Sequence, residues 1–309
     1  MKNIVIIGGG NGSTVVINAL KPFHEQLKLS AVISMCDSGG ANGRLRKEFG
    51  LPYSDLLRAT LAMSPFDFDL LKRIFVQTRF VDCGKLDTHY LGNLFLALSA
   101  QYDGNVMHAV RALHQAVEAV GKVYPVTQER ADVCVSLTDG STVTGEHEID
   151  RPTYDRSKKI VRTWLEPMPM INEEAKRVIE EADVIFVGPG SLYTSIIPNL
   201  LTEGMTDALR ASKAKLYFIS GNSYEAGGET GPETIGDVIK TIQEFIPRSL
   251  SGVVFNSSHI VAKYKDGVRT LYVDDLVEVK DIQVIKEDLG TEDGLTDAKK
   301  LGSVLIKLV

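Results

Sequence analysis

Cysteine is scarce in this chain, and positive charge is not in surplus. Cys36, Cys83 and Cys134 are the only three cysteines in 309 residues and form no CxxC pair, which argues against a disulfide framework or a cysteine zinc site. The pattern is that of a reduced, cytoplasmic protein. Thirty-four Lys and Arg face 40 Asp and Glu, a net charge of −6, so neither nucleic acid nor an anionic membrane surface is an expected partner. No apolar run reaches transmembrane length, and the run after Lys2 breaks into glycine at Gly8, too early for a signal peptide. No membrane insertion is expected. Internal repeats, low-complexity tracts, Pro/Gly/Ser-rich linkers and HxxxH pairs are also missing. At 44% hydrophobic and 24% charged residues, the remainder reads as a globular chain with a sizeable core.

The informative part comes first. Ile4-Val5-Ile6-Ile7 is too continuously apolar for a half-exposed strand and rich in β-branched residues, so it predicts a central parallel strand. Gly8-Gly9-Gly10-Asn11-Gly12-Ser13-Thr14 follows, and Val15, Val16, Ala19 and Leu20 then recur at helical spacing. In strand–glycine turn–helix order, backbone amides can approach an anionic ligand at a helix N-terminus, which makes Gly9, Gly10, Asn11, Gly12 and Ser13 candidate phosphate contacts. The dinucleotide fingerprint wants glycine where Ser13 stands, which counts against a nicotinamide-dependent oxidoreductase. The same turn can also serve the backbone alone.

A second strand, Leu29–Cys36, ends in Asp37-Ser38-Gly39-Gly40-Ala41-Asn42-Gly43-Arg44. Asp37 suits a ribose or metal contact, or simply caps the turn. Gly39, Gly40 and Arg44 beside it suit a phosphate or pyrophosphate. Asp55 opens a helix over 55–63, where N-capping is its ordinary use. Phe66–Phe80 reads as core. The helix at 89–100 carries Asn93, either a ligand contact or a buried amide satisfied by backbone, and His89, read as structural. From Val123 to Trp164 short alternating segments around an Asp139-Gly140 turn predict antiparallel strands, an insertion at about 123–164 within a single domain spanning 1–309.

A second strand–glycine turn–helix unit runs from Ala182 through Gly188-Pro189-Gly190-Ser191-Leu192-Tyr193-Thr194-Ser195. Gly188, Gly190, Ser191 and Thr194 are again suited to oxyanions. Ser191 lacks the GxSxG elbow of a nucleophile. If both turns lie at the carboxyl ends of parallel strands, they converge on one crevice. Strands at 216–220 and 253–255 lead to Asn222 and Asn256, followed by a helix at 235–245 and a last helix at 297–308.

Taken together, these stretches resemble the CofD-like superfamily, and its YvcK (gluconeogenesis factor) branch more than the phospholactate transferases. The segment from Gly188 to Leu201 is the most specific match, joined by the first turn, Asp37–Arg46, His89–Leu94, Pro125-Val126-Thr127, Asn222 and Glu229-Thr230. The resemblance implies a Rossmann-like three-layer α/β sandwich with a mainly parallel sheet, often a homodimer, with a nucleotide cleft. YvcK-like proteins bind uridine-diphosphate (UDP) sugars and act in carbon metabolism, envelope synthesis and cell shape. CofD enzymes move a phospholactyl group from a GDP-activated donor to the deazaflavin Fo with magnesium. On the first reading Asp37, Asn93 and Asn222 fix sugar or base, and Tyr264 matches a YvcK-type tyrosine. On the second, Asp37 and Asp55 hold magnesium. Asn11 stands where the family usually has threonine, Ser38 where a second aspartate is common, Leu57 and Arg58 where arginine and asparagine are usual, and Leu295 where an arginine is expected. A magnesium site short of that aspartate lacks one of the oxygen anions a hard cation wants.

Overall fold

The computed structural model describes residues 1–36, 54–87, 89–103, 106–263, 268–276 and 282–309. Its strands are β1 (Lys2–Gly8), β2 (Leu27–Ile33), β3 (Lys122–Pro125), β4 (Asp132–Leu137), β5 (Thr142–Thr144), β6 (Ile160–Glu166), β7 (Val184–Val187), β8 (Lys215–Ser220), β9 (Ser223–Glu225), β10 (Gly252–Asn256), β11 (Arg269–Leu271) and β12 (Gln283–Glu287). Its α-helices are α1 (Gly10–Leu20), α2 (Ser54–Ala62), α3 (Phe68–Lys72), α4 (Leu91–Asp103), α5 (Val106–Ala116), α6 (Glu146–Asp150), α7 (Glu173–Glu180), α8 (Ile197–Leu201), α9 (Met205–Ala211), α10 (Ile235–Phe245) and α11 (Ala298–Leu305). None is long and apolar enough to cross a membrane.

Seven strands form one sheet in the order β12-β10-β8-β7-β1-β2-β3, every neighbouring pair parallel. Helices cover both faces, the arrangement that buries parallel strands on both sides. The unbroken run Ile4–Ile7 follows from that position: all four side chains are 0–1% exposed, each contributing about 1.5–3 kcal/mol of burial. β7 (VIFV) and β10 (GVVFN) are buried along their whole lengths for the same reason.

The expected antiparallel insertion is present as the sheet β5-β4-β6, with β4 and β5 joined through the Asp139-Gly140 turn. Gly140 takes φ +83°, a conformation glycine adopts without steric cost. Asp139 Oδ1 accepts from Ser141 N at 3.0 Å and from its hydroxyl at 2.6 Å. Val123 lies not in this sheet but in β3, the parallel edge strand paired with β2. Antiparallel pairing starts at Asp132. A two-stranded ribbon, β9 with β11, was not read from the sequence because each strand is only three residues long.

Helix ends follow local chemistry. Asn172 caps α7 through Glu174 N, Thr234 caps α10 through Asp237 N, and Asp297 caps α11 through the amides of Lys299 and Lys300. Helix α11 then packs against α1 so closely that a Cβ on Gly302 would lie 2.4 Å from the Ala19 carbonyl oxygen. A helical Gly→Ala change ordinarily stabilises by about 0.5–1 kcal/mol. Gly302→Ala is expected to do the reverse, by about 1–3 kcal/mol, because the added methyl overpacks a backbone contact. Thermal unfolding of the variant checks this: a melting temperature equal to or above that of the parent would contradict the packing described.

Candidate functional site

Strand order reverses at β1. From β1 the chain moves outward through β2 and β3, then returns to place β7, β8, β10 and β12 on the other side. The crevice between β1 and β7, at their carboxyl ends, is where open α/β sheets receive ligands. Both glycine turns emerge there, one from each strand.

They interlock. Gly188 N donates to Ile7 O at 2.9 Å, continuing the β1–β7 ladder into the second turn. A Cβ on Gly12 would fall 1.9 Å from the carbonyl oxygen of Pro189, a distance no side chain tolerates. Gly12 is therefore glycine because the two turns touch backbone to backbone. Gly10 adopts φ +54° and Gly188 φ +83°, conformations that favour glycine. Asn199 braces the arrangement from α8, its Nδ2 donating to Gly8 O at 3.1 Å and Ser195 O at 2.8 Å. Ser34, just after β2, donates its backbone N–H to Gly8 O at 2.9 Å.

Carboxylates from elsewhere in the chain hold amides of both turns. Asp55 Oδ2 accepts from Gly10 N at 2.5 Å, and its Oδ1 meets the Arg58 guanidinium at 2.9 Å. Its side chain is only 12% exposed. Besides opening α2, Asp55 thus reaches 45 residues back to the start of α1, where the helix dipole favours negative charge. In the second turn, Glu229 accepts from Leu192 N at 2.7 Å and Tyr193 N at 3.0 Å. The adjacent Thr194 hydroxyl donates to Asp150 Oδ1 at 2.9 Å. The loop carrying Glu229 is tied to the segment before β6, through Arg156 to Gly228 O at 2.8 Å and the hydroxyls of Tyr154 and Thr230 at 3.0 Å. Burial raises the Glu229 pKa above its usual value, the Asp150 charge raises it further, and the two amide bonds oppose the shift. Burial likewise raises Tyr193 and Tyr272, with the Glu229 charge adding to both.

Of the residues singled out in the sequence, Gly9, Gly10, Asn11, Gly12, Ser13, Gly188, Gly190, Ser191 and Thr194 come together at this crossing. Asn11, Gly190 and Ser191 form its exposed lip, while Gly9, Ser13, Gly188 and Thr194 are buried beneath it. The hydroxyls of Ser13 and Ser34 and Oδ1 of Asn199, all buried, make no hydrogen bond among the described residues. Asn93 is 1% exposed in the first turn of α4, its Oδ1 also without a hydrogen bond among those residues. Asn222 gives both amide protons to backbone, to Ser258 O at 2.9 Å and Ile260 O at 2.8 Å, so it joins the loops after β8 and β10. Asp37, Gly39, Gly40, Arg44 and Tyr264 lie outside the described residues. Among the described residues no three His, Cys, Asp or Glu side chains gather into a metal site. Asp55, the described half of the expected magnesium pair, is engaged with an amide and a guanidinium, a setting that does not suit it as a ligand of a hard cation.

Comparison with known proteins bears on this geometry. A family model described as 2-phospho-L-lactate transferase CofD matches residues 4–290. The gluconeogenesis factor of Bacillus subtilis is 32% identical over 99% of this chain and 98% of its own length. That of Listeria monocytogenes is 32% identical over 99% and 95%. The crystal structure of protein BH3568 from Bacillus halodurans superposes with a TM-score of 0.87 at 30% identity, covering 99% of both chains. A second structure of BH3568, described as a member of the UPF0052 family, gives 0.88 at 29% identity.

The Glu229 clasp gives stability a pH signature. Because its folded pKa is raised, the native state keeps a proton that the unfolded chain releases near 4.5. Stability is therefore highest below that value and declines as pH rises towards the folded pKa. Unfolding midpoints of the parent and Glu229→Gln, measured from pH 5 upward, should converge or cross as pH rises, the parent losing stability relative to the variant. Parallel curves would remove the buried ionisation from Glu229.

Proposed function

The chain belongs to the CofD family, and from that premise we propose that it is a cytoplasmic nucleotide-binding regulatory protein of the gluconeogenesis-factor type, taking a UDP-sugar in the β1/β7 crevice. The observation that supports this reading is the pair of interlocked glycine turns at the point where strand order reverses. On this reading the exposed lip of Asn11, Gly190 and Ser191 meets the diphosphate, and the Asp37–Arg44 loop supplies further phosphate donors and a ribose contact. Asn93 and Tyr264 contact sugar or base, and Asn222 acts by setting the loops around them. The protein works as a homodimer, and ligand occupancy reports on carbon metabolism, envelope synthesis and cell shape. A sensor of this kind needs differential affinity between two states, not turnover.

The family description itself favours a second reading, a transferase that moves a phospholactyl group from a GDP-activated donor to the deazaflavin Fo with magnesium. It would use the same crevice, with turn amides opposing the charge that develops as the phosphodiester forms. The engagement of Asp55 with Gly10 and Arg58, and serine at position 38, weigh against it.

Calorimetric titration with UDP-N-acetylglucosamine and with GDP, each with and without magnesium, separates the two. The sensor predicts micromolar binding of the uridine ligand alone, about 8 kcal/mol, indifferent to the metal. Magnesium-dependent guanosine binding would replace it with the transferase. Gly12→Ala, checked for retained fold by circular dichroism, is expected to lower affinity about tenfold or more by forcing the two turns apart.

A further inference from the structure

The peptide that joins Ser191 to Leu192 is held from both sides. Its carbonyl oxygen, on Ser191, accepts from the backbone N–H groups of Ser195 and Ile196, each at 3.1 Å. Its nitrogen, on Leu192, donates to Glu229 Oε1 at 2.7 Å, and Tyr193 N donates to Oε2 at 3.0 Å. Ser191 belongs to the exposed lip, so a carboxylate 37 residues along the chain from Leu192 sets the orientation of a lip residue. A second carboxylate holds the next position, Thr194 donating its hydroxyl to Asp150 Oδ1 at 2.9 Å. Three successive residues of the turn thus depend on two carboxylates, and α6, which ends at Asp150, packs on Leu192–Ile196.

The titratable groups that face Glu229 are Asp150 from α6, Tyr193 from the turn itself and Tyr272 from just after β11. None of them is a cation. The cations of the neighbouring segments are engaged elsewhere: Arg156 with Gly228 O at 2.8 Å, Arg151 with Glu225 at 2.7 Å, Lys159 with Glu233 at 2.7 Å, and Arg269 with Ser223 O at 3.2 Å. Where two carboxylates share one turn with no cation between them, double ionisation is disfavoured and one of the pair keeps a proton. Glu229 is that one, since burial and the Asp150 charge hold it towards its neutral form.

We propose that Glu229 is a positioning residue that couples the lip to a proton: a diphosphate binds beside this turn with uptake of up to one proton by the Asp150–Glu229 pair. The inference rests on nucleotide binding in the β1/β7 crevice as proposed above and adds the group that responds to it. Its sign follows from charge. A diphosphate against Ser191 brings negative charge next to the pair, which disfavours the doubly ionised form and favours the singly protonated one. By linkage, a ligand that favours protonation binds more weakly as protons become scarce. Affinity therefore falls as pH rises through the range in which Glu229 ionises, about tenfold for each unit by which the ligand raises that pKa.

Calorimetry with UDP-N-acetylglucosamine, or with GDP if that is the nucleotide bound, tests this at pH 8 in HEPES and in Tris, which differ in ionisation enthalpy. The phosphates of both nucleotides are ionised there, so a heat that depends on the buffer reports protons taken up by the protein. The parent is expected to take up a measurable fraction of a proton, with affinity falling about threefold or more from pH 7 to pH 8.5. Glu229→Gln is expected to bind without uptake and with a flat pH profile. Asp150→Asn removes the charge that raises Glu229, so its uptake moves to lower pH, and this variant decides the matter if Glu229→Gln does not fold. Equal heats in the two buffers, uptake that persists in Glu229→Gln, or uptake unshifted in Asp150→Asn would overturn the coupling and leave nucleotide binding standing. Binding of neither nucleotide would overturn the coupling and the crevice reading together.

Discussion

Two backbone segments from opposite halves of the chain touch where no side chain fits, Gly12 of the first turn against the carbonyl of Pro189 in the second. Much of the site depends on that approach. It requires β1 and β7 to be neighbours in register, and the ladder delivers this by pairing Ile7 with Val187 and Gly188 N with Ile7 O. It requires Gly8 to be fixed from more than one side, by Asn199 and by Ser34. Packed interiors transmit small displacements instead of absorbing them, so a methyl group here moves both turns and the lip they form. The glycines that read as a phosphate cradle are thus first a solution to a packing problem. Ligand access follows from it.

The fold was legible in residues that face one environment only. Ile4–Ile7 announces a strand buried on both sides, Asp139-Gly140 a tight turn, Asp297 a helix start, because each signal is local and its partner lies within a few residues. The site was legible only in part. Both glycine turns stand out in sequence and do meet, yet the groups that hold them do not. Asp55 bonds Gly10 across 45 residues, Glu229 bonds Leu192 across 37, and Asn199 reaches Gly8 across 191. A carboxylate that caps only its own helix and one that also reaches a distant helix have the same local sequence, so the N-cap reading of Asp55 named the right chemistry without its bond to the Gly10 amide. Asn222 shows the converse: an asparagine at the end of a strand looks free for ligand, but its amide joins two loops whose proximity no local pattern encodes.

These long-range carboxylates also bear on how the crevice can treat an anion. A helix N-terminus presents partial positive charge and unpaired amides, and on that ground alone both turns would attract phosphate. Here Gly10, Leu192 and Tyr193 already donate to Asp55 and Glu229, so part of that attraction is met within the protein. The internal carboxylates fix the turns before a ligand arrives, which lowers the ordering cost of binding. The Asp55 charge is balanced by the Arg58 guanidinium and burial holds Glu229 towards its neutral form, so neither group leaves a net negative charge behind the lip. On the sensor reading, affinity then comes from recognising the whole nucleotide sugar, not from a strong phosphate site.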